Sequence, residues 1–224
     1  MNIAIIPARG GSKRIPHKNI KNFCGKPIIA YSIEAAIASG FFEKVIVSTD
    51  DQKIAEIAIS YGAEVPFFRP TQLANDYAGT VEVIRHAINE LALSDDTNIC
   101  CLYATAPFVG PKILLDGLKL LESKKFDYVF SATEFPFPIQ RAFHLQDNGK
   151  IQMFHPELSN SRSQDLPKAY HDAGQFYWGK AKAFKEGKAI FSEHSKAVLL
   201  PRKRVQDIDT PEDWELAEAL FSVL

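Results

Sequence analysis

Two groups of residues carry side chains whose types and spacing could do chemistry. Near the start, Arg9, Gly10, Gly11, Ser12, Lys13 and Arg14 follow a short apolar run, with Lys18 and Asn19 close behind; no acidic residue precedes Glu34. Two adjacent glycines can let backbone N–H groups converge on one point, Ser12 adds a hydroxyl, and Arg9, Lys13 and Lys18 add cations, which together suit a phosphate. Near the end lies Asp207-Ile208-Asp209. If that tripeptide is extended, both carboxylates face one side and could share a divalent cation, while Ile208 turns into the core. Two better-known phosphate motifs are excluded. The spacing is not Gly-x-Gly-x-x-Gly, and Gly25-Lys26 is followed by Pro27 where a P-loop carries Ser or Thr.

Other reactive types read as structural. Asp50 and Asp51 stand where a strand ends and a helix begins, the place of helix caps. His86 lies within a helical pattern without a ligand-spaced partner. His171 and Asp172 are neighbours on an extended segment and point to opposite faces, so they make no catalytic dyad. Cys24, Cys100 and Cys101 show no CxxC spacing and read as reduced thiols.

The elements that must position these groups alternate between strand-like and helix-like segments, which argues for an α/β fold with a mostly parallel sheet in three layers, helices on both faces. Ile3–Ile6 reads as a strand, 28–39 as a helix stopped by Gly40, and 44–49 as a second strand. A helix follows through Tyr61, then a short strand over 64–68. Further on, a helix starts at Thr80, a strand covers 98–104, a helix begins at Pro111, and a strand covers 128–132. Ligands of open α/β sheets sit beyond the carboxyl ends of strands, so Tyr103 to Ala106 should line the cleft. From about 134 to 172 the alternation lapses into aromatics, turn residues and a hairpin around Asp147-Asn148-Gly149. An exposed apolar excursion of this kind implies a partner surface. Strand 197–200 and a final helix capped by Thr210, with Pro211 at its first position and Asp213 as capping-box partner, close the chain.

The run Arg9-Gly-Gly-Ser-Lys-Arg-Ile-Pro-His-Lys-Asn19 resembles the signature of the cytidylyltransferases that activate nonulosonic (sialic-type) acids. Arg69-Pro-x-x-Leu-Ala-x-Asp76 with Thr80 matches the same family, as does the Asp-x-Asp before Thr210-Pro211. The runs Ser163-Gln-Asp-Leu-Pro167 and His171-Asp-Ala-Gly-Gln-Phe-Tyr-Trp178 are most similar to those of the family's pseudaminic acid branch. The resemblance covers nearly the whole chain, as a single domain of 1–224. It implies CTP as one substrate, with Arg9, Gly10, Gly11, Ser12, Lys13, Asn19, Arg69 and Thr80 at the nucleotide. Lys18, Asp207 and Asp209 would be catalytic, with Mg²⁺ on the two aspartates. Tyr103, Thr105, Arg162 and Gln175 would meet a nonulosonic acid. It also implies a homodimer in which the excursion reaches the partner's sugar site. One departure bears on the sugar: the sialic-acid enzymes carry Leu-Gln-Pro-Thr-Ser-Pro-Leu-Arg, whereas this chain has Leu102-Tyr-Ala-Thr-Ala-Pro-Phe-Val109. An aromatic ring in place of a glutamine, and no following arginine, fits an acceptor with fewer hydroxyls, pseudaminic acid rather than N-acetylneuraminic or legionaminic acid.

Composition narrows the classes. With 224 residues and a net charge of −1, one globular domain is the simplest reading, and the local basic arm is balanced elsewhere, which disfavours a nucleic-acid partner. No apolar run approaches a membrane span, and the first residues lack a signal-peptide pattern, so a cytoplasmic location is expected. A sugar nucleotidyltransferase of another specificity, a non-catalytic nucleotide sensor and a scaffold remain as rivals, separated by whether pyrophosphate is released and from which nucleotide.

Overall fold

Strand β1 (Asn2–Pro7) organises the molecule because both of its faces are apolar. Successive side chains of a strand point to opposite sides. Ile3 and Ile5 therefore enter one core with Ile84, Ala87 and Ile88 of α3 (Thr80–Glu90) and Phe184 of α5 (Ala181–Glu186). Ala4 and Ile6 enter the other, with Ile29 and Ile33 of α1 (Ile28–Ser39), Ile54 of α2 (Gln52–Ser60) and Leu114 and Leu118 of α4 (Pro111–Glu122). The result is the expected three-layer α/β arrangement. The computed structural model describes residues 1–123 and 125–224.

The remaining strands are β2 (Asn22–Phe23), β3 (Lys26–Pro27), β4 (Lys44–Ser48), β5 (Asn98–Leu102), β6 (Tyr128–Glu134), β7 (Phe143–Leu145), β8 (Ile151–Met153), β9 (Tyr170–Lys180) and β10 (Ser195–Leu200). Six of them form the central sheet in the order β10-β6-β9-β5-β1-β4. β1 pairs in parallel with both β4 and β5, and β10 with β6, while the long β9 runs antiparallel between β5 and β6. Because the chain leaves β1 for β4 on one side and reaches β5 on the other, a crevice opens beyond the carboxyl ends of β1 and β5. Cys100 and Cys101 are buried thiols within β5.

Two local departures from the sequence reading have clear causes. Residues 64–68 form no strand; Glu64 and Phe68 make isolated bridges to Ile46 and Thr49. The segment offers too few successive backbone pairs to build a ladder. Between Phe130 and Ala132 the β6–β9 register shifts, with Gly174 at φ 61°. The buried Ser131 hydroxyl accepts from the Gln175 and Phe176 N–H groups at 3.2 Å each, satisfying donors that the bulge takes out of the ladder.

The excursion holds the predicted hairpin, β7 against β8, with Phe143 opposite Met153 and Leu145 opposite Ile151. Its large apolar side chains, among them Phe137, Leu145, Ile151 and Phe154, are exposed. Helix α6 (Pro211–Phe221) closes a third cluster in which Trp214 and Ala217 meet Ile15, Phe23, Ile28, Phe108 and Ile208. That cluster ties the chain's last helix to the basic arm. Among the described residues, no helix is long and apolar enough to cross a membrane.

Candidate active site

A cleft of about 340 Å³ opens beyond β1 and β5, lined by Arg9, Ser12, Lys13, Arg14, Lys18, Asn19, Arg69, Thr80, Tyr103, Thr105 and Asp209, among others. Most of the residues marked from the sequence thus converge, although they span the chain from the first strand to the last helix.

The basic loop is held from below. The Asn19 side-chain amide donates to the Arg9 carbonyl at 2.9 Å, and the Gly10 N–H donates to the Asp50 carboxylate at 3.0 Å. Asp51 caps α2, accepting from the Ile54 N–H at 3.0 Å. Asp51 is therefore a cap as expected, whereas Asp50 anchors the loop instead. A Cβ at Gly10 would sit 2.7 Å from an Asp51 oxygen, so glycine is required there for close approach. Two of the loop's N–H groups are already committed. Neither Gly10 nor Gly11 has a positive φ, the Gly10 N–H is engaged by Asp50, and the Ser12 N–H bonds the Gly10 carbonyl. The loop turns its side-chain cations, Arg9, Lys13 and Arg14, to the cleft.

Those cations already hold carboxylates. Arg9 and Lys13 both reach Asp76, at 2.8 and 2.6 Å, and Lys13 foremost, then Arg9, holds the Asp76 carboxyl below the usual range. Arg14 and Lys18 reach Asp209 at 2.9 and 3.3 Å, and Lys18 also donates to the Ile208 carbonyl. Ile208 is fully buried, as foreseen. Asp207 lies against Gly174 of β9, and its carboxyl is pushed above the usual range, first by desolvation and then by the charge of Asp209, with Lys18 opposing. Arg14 and Asp76 were not marked as site residues from the sequence. Asp76 is not paired with Arg69, the other end of its motif: Arg69 is buried, donating to the Ser48 and Leu73 carbonyls at 3.1 and 3.3 Å. The Arg69 guanidinium holds the Leu73 carbonyl of the turn that leads to Asp76, and Arg69 also lines the cleft.

The wall opposite the basic loop is built on β5 and β9. Tyr103 follows β5; its N–H donates to the Gln175 carbonyl at 2.8 Å and its carbonyl accepts from Ser32 at 2.7 Å. Its hydroxyl lies 3.0 Å from that of Thr80, its ring packs against Tyr177 with centroids 5.5 Å apart, and burial pushes its phenol up to about 12. Two residues assigned to the sugar are not brought here. Gln175 is buried, its amide donating to the Arg204 carbonyl, because the β9 bulge turns that side chain away from the cleft. Arg162 is 74% exposed on the excursion and already bound bidentately by Asp165 at 2.7 and 3.2 Å. It is not among the residues that line the cleft.

The family model for cytidylyltransferases matches residues 3–220. The chain belongs to this family. It is 50% identical to the pseudaminic acid cytidylyltransferase of Campylobacter jejuni subsp. jejuni serotype O:2, over 99% of this chain and 97% of that one. It is 35% identical to the N-acylneuraminate cytidylyltransferase of Escherichia coli O18:K1:H7, over 96% of this chain and 51% of the relative. In fold it matches the CMP:2-keto-3-deoxy-manno-octonic acid synthetase solved with CTP, with a TM-score of 0.71 at 16% identity over 99% of this chain and 98% of that one. Cytidylyltransferases transfer a nucleotidyl group, so the cationic cleft of this member has a phosphate-bearing substrate to meet.

Proposed function

We propose that this cytidylyltransferase joins CTP to pseudaminic acid, giving the CMP-sugar and pyrophosphate. The observation that carries the reading is one cleft with Arg9, Lys13, Arg14 and Lys18 on one side and the Tyr103 wall on the other, in a chain half identical along its length to a pseudaminic acid cytidylyltransferase. In this reading Arg9, Ser12 and Lys13 take the β- and γ-phosphates, displacing Asp76. Lys18 stays beside Asp209 and offsets charge at the α-phosphate as the anomeric hydroxyl attacks in line and pyrophosphate leaves. Catalysis rests on orientation and charge stabilisation.

Asp207 and Asp209 suit Mg²⁺. Desolvation and then the charge of Asp209 make the Asp207 carboxyl a weaker acid, as expected of two carboxylates that would gain from a shared cation, although Arg14 and Lys18 already partner Asp209. No cluster of three or more His, Cys, Asp or Glu able to hold a metal is present among the described residues, so phosphate oxygens and water would complete the shell. When bound, the ion would neutralise phosphate charge. The excursion, with its exposed Leu145, Ile151 and Phe154, is assigned to a homodimer contact that would bring Arg162 to the partner's cleft.

The test is pyrophosphate release by the purified protein with each of four nucleotides and a panel of nonulosonic acids. Turnover with CTP and pseudaminic acid above all others is expected. Release with another nucleotide, or no release with any sugar, would overturn the reading.

A further inference from the structure

Asp76 holds two cations of the basic loop at once. One of its carboxylate oxygens lies 2.8 Å from Arg9 and the other 2.6 Å from Lys13. A pair of anionic oxygens bridging two cations marks where two phosphate oxygens would sit, and a carboxylate in that place competes with phosphate for the same donors. The contact is open to exchange. The Lys13 side chain is 80% exposed and that of Asp76 41%, so water and salt screen the pairs and each is weak. The other half of the arm is held more firmly: the Lys18 side chain is only 20% exposed and donates to the Ile208 carbonyl as well as to Asp209.

The segment that carries Asp76 is a closed turn fastened at its two ends. At the start, the Arg69 N–H donates to the Thr49 carbonyl at 2.8 Å and its guanidinium to that of Ser48 at 3.1 Å. At the far end Gly79 caps α3, its N–H donating to the Glu82 carboxylate at 3.2 Å. Between them the polar contacts are internal. The Leu73 and Ala74 N–H groups bond the Pro70 and Thr71 carbonyls, the Asn75 side-chain oxygen accepts from the Tyr77 and Ala78 N–H groups at 2.8 and 3.0 Å, and the Asn75 amide donates to the Gln72 carbonyl at 2.8 Å. Apart from the Arg69 bond to the Leu73 carbonyl, the Asp76 carboxylate is the only polar tie of residues 70–78 to the rest of the molecule among the described residues. Exchanging Asp76 for phosphate thus breaks two screened ion pairs and no backbone hydrogen bond.

We propose that Asp76 is an internal counter-ligand of the phosphate site: it competes with the β- and γ-phosphates for Arg9 and Lys13, gives way to them, and returns to those cations as pyrophosphate leaves. The inference rests on the reading of the cleft as the site of CTP and pyrophosphate, and adds a residue that sets how tightly both are held. A ligand must displace Asp76 to reach Arg9 and Lys13, so every ligand with phosphates in that place binds less tightly by a common factor. CMP, whose one phosphate is assigned beside Lys18, escapes that factor. Pyrophosphate is then not trapped by the cations that a triphosphate needs.

The experiment measures, by calorimetry with Mg²⁺ held constant, the binding of tripolyphosphate, pyrophosphate, CTP and CMP to full-length wild type, Asp76→Asn, Asp76→Ser, Lys13→Ala and the Lys13→Ala/Asp76→Asn double variant. Asp76→Asn should tighten tripolyphosphate, pyrophosphate and CTP by about fivefold to tenfold, the scale of two exposed ion pairs, with CMP changed less than about twofold. Asp76→Ser, equally uncharged, should tighten the same ligands, whereas loss of a residue that only shaped its turn would weaken them or leave them unchanged. The gain should shrink in the Lys13→Ala background, where the carboxylate has one cation fewer to hold, and in added salt. Unchanged or weaker binding of tripolyphosphate and pyrophosphate in either neutral variant, or an equal gain for CMP, would overturn the proposal. These two probes carry no base and need no sugar, so the result is independent of which nucleotide and acceptor the enzyme uses. Absence of pyrophosphate release from CTP would overturn the proposed function and leave this comparison intact.

Discussion

At the scale of single residues, the cleft is a set of charges held apart by what they already bind. Asp209 lies between Arg14 and Lys18, and Asp207 is a carboxyl with a raised proton affinity beside it. Asp209→Asn and Asp207→Asn should each lower turnover in Mg²⁺ by about a hundredfold or more, since a neutral amide holds the cation poorly. Near-normal rates in both variants, with the melting temperature unchanged, would remove the metal from the mechanism. Arg9 and Lys13 make a separate prediction. Arg9→Ala and Lys13→Ala should weaken CTP binding much more than CMP binding in calorimetry, because CMP lacks the phosphates they are assigned. Equal losses for both nucleotides would place these cations elsewhere, and added salt should narrow the difference.

At the scale of elements, the two glycines of the basic loop are not equivalent. Gly10→Ala would drive a methyl group into the Asp51 cap of α2, whereas at Gly11 a Cβ meets nothing within 4 Å. Gly10→Ala should therefore lower the melting temperature and raise KM for CTP together, and Gly11→Ala should do neither; similar behaviour of the two would show that the loop is not docked on α2. Helix α6 offers a test in pH. Thr210 and Asp213 form a capping box, and Thr210 foremost holds the Asp213 carboxyl below its usual range. A carboxylate whose folded-state proton affinity is lowered stabilises the fold above its unfolded pKa of about 4 and loses that contribution as pH falls through the lower folded value. Asp213→Asn should cost about 1 kcal/mol near neutrality and converge with wild type in acid, read by denaturant melts from pH 7 to 3. A constant gap at every pH would exclude the charged cap.

At the scale of the whole molecule, the exposed hairpin is the feature one chain leaves unfinished. Leu145 and Ile151 stand opposite each other on β7 and β8, 69% and 61% exposed. If this hairpin is the proposed dimer contact, Leu145→Glu with Ile151→Glu should lower the sedimentation coefficient to that of a single chain without lowering the melting temperature of the sheet domain. If Arg162 serves the partner's cleft, sugar KM should rise with that conversion. An unchanged sedimentation coefficient would assign this surface another role.

The order of elements was legible in the sequence because β1, α1, α3, α4 and α6 each announce themselves through local periodicity, a glycine stop or a capping pair. The gathering of the loop's cations and the burial of Ile208 were legible for a related reason: both follow from residue types and immediate neighbours in the chain. Partnerships across the chain were not legible. Asp76 goes to Arg9 and Lys13 rather than Arg69, Gly10 gives its N–H to Asp50, and Gln175 turns to Arg204, because each choice depends on which strand ends the sheet order brings together. The hydrogen bond between Asp172 and Tyr177 belongs to the same class. It exists because a bulge in β9 places a carboxylate and a phenol five residues apart on one hydrogen bond, and an antiparallel register lays that phenol against the residue following β5. Local pattern fixes elements and their termini, whereas long-range register decides which polar groups share a buried space, and burial without water makes those pairings consequential.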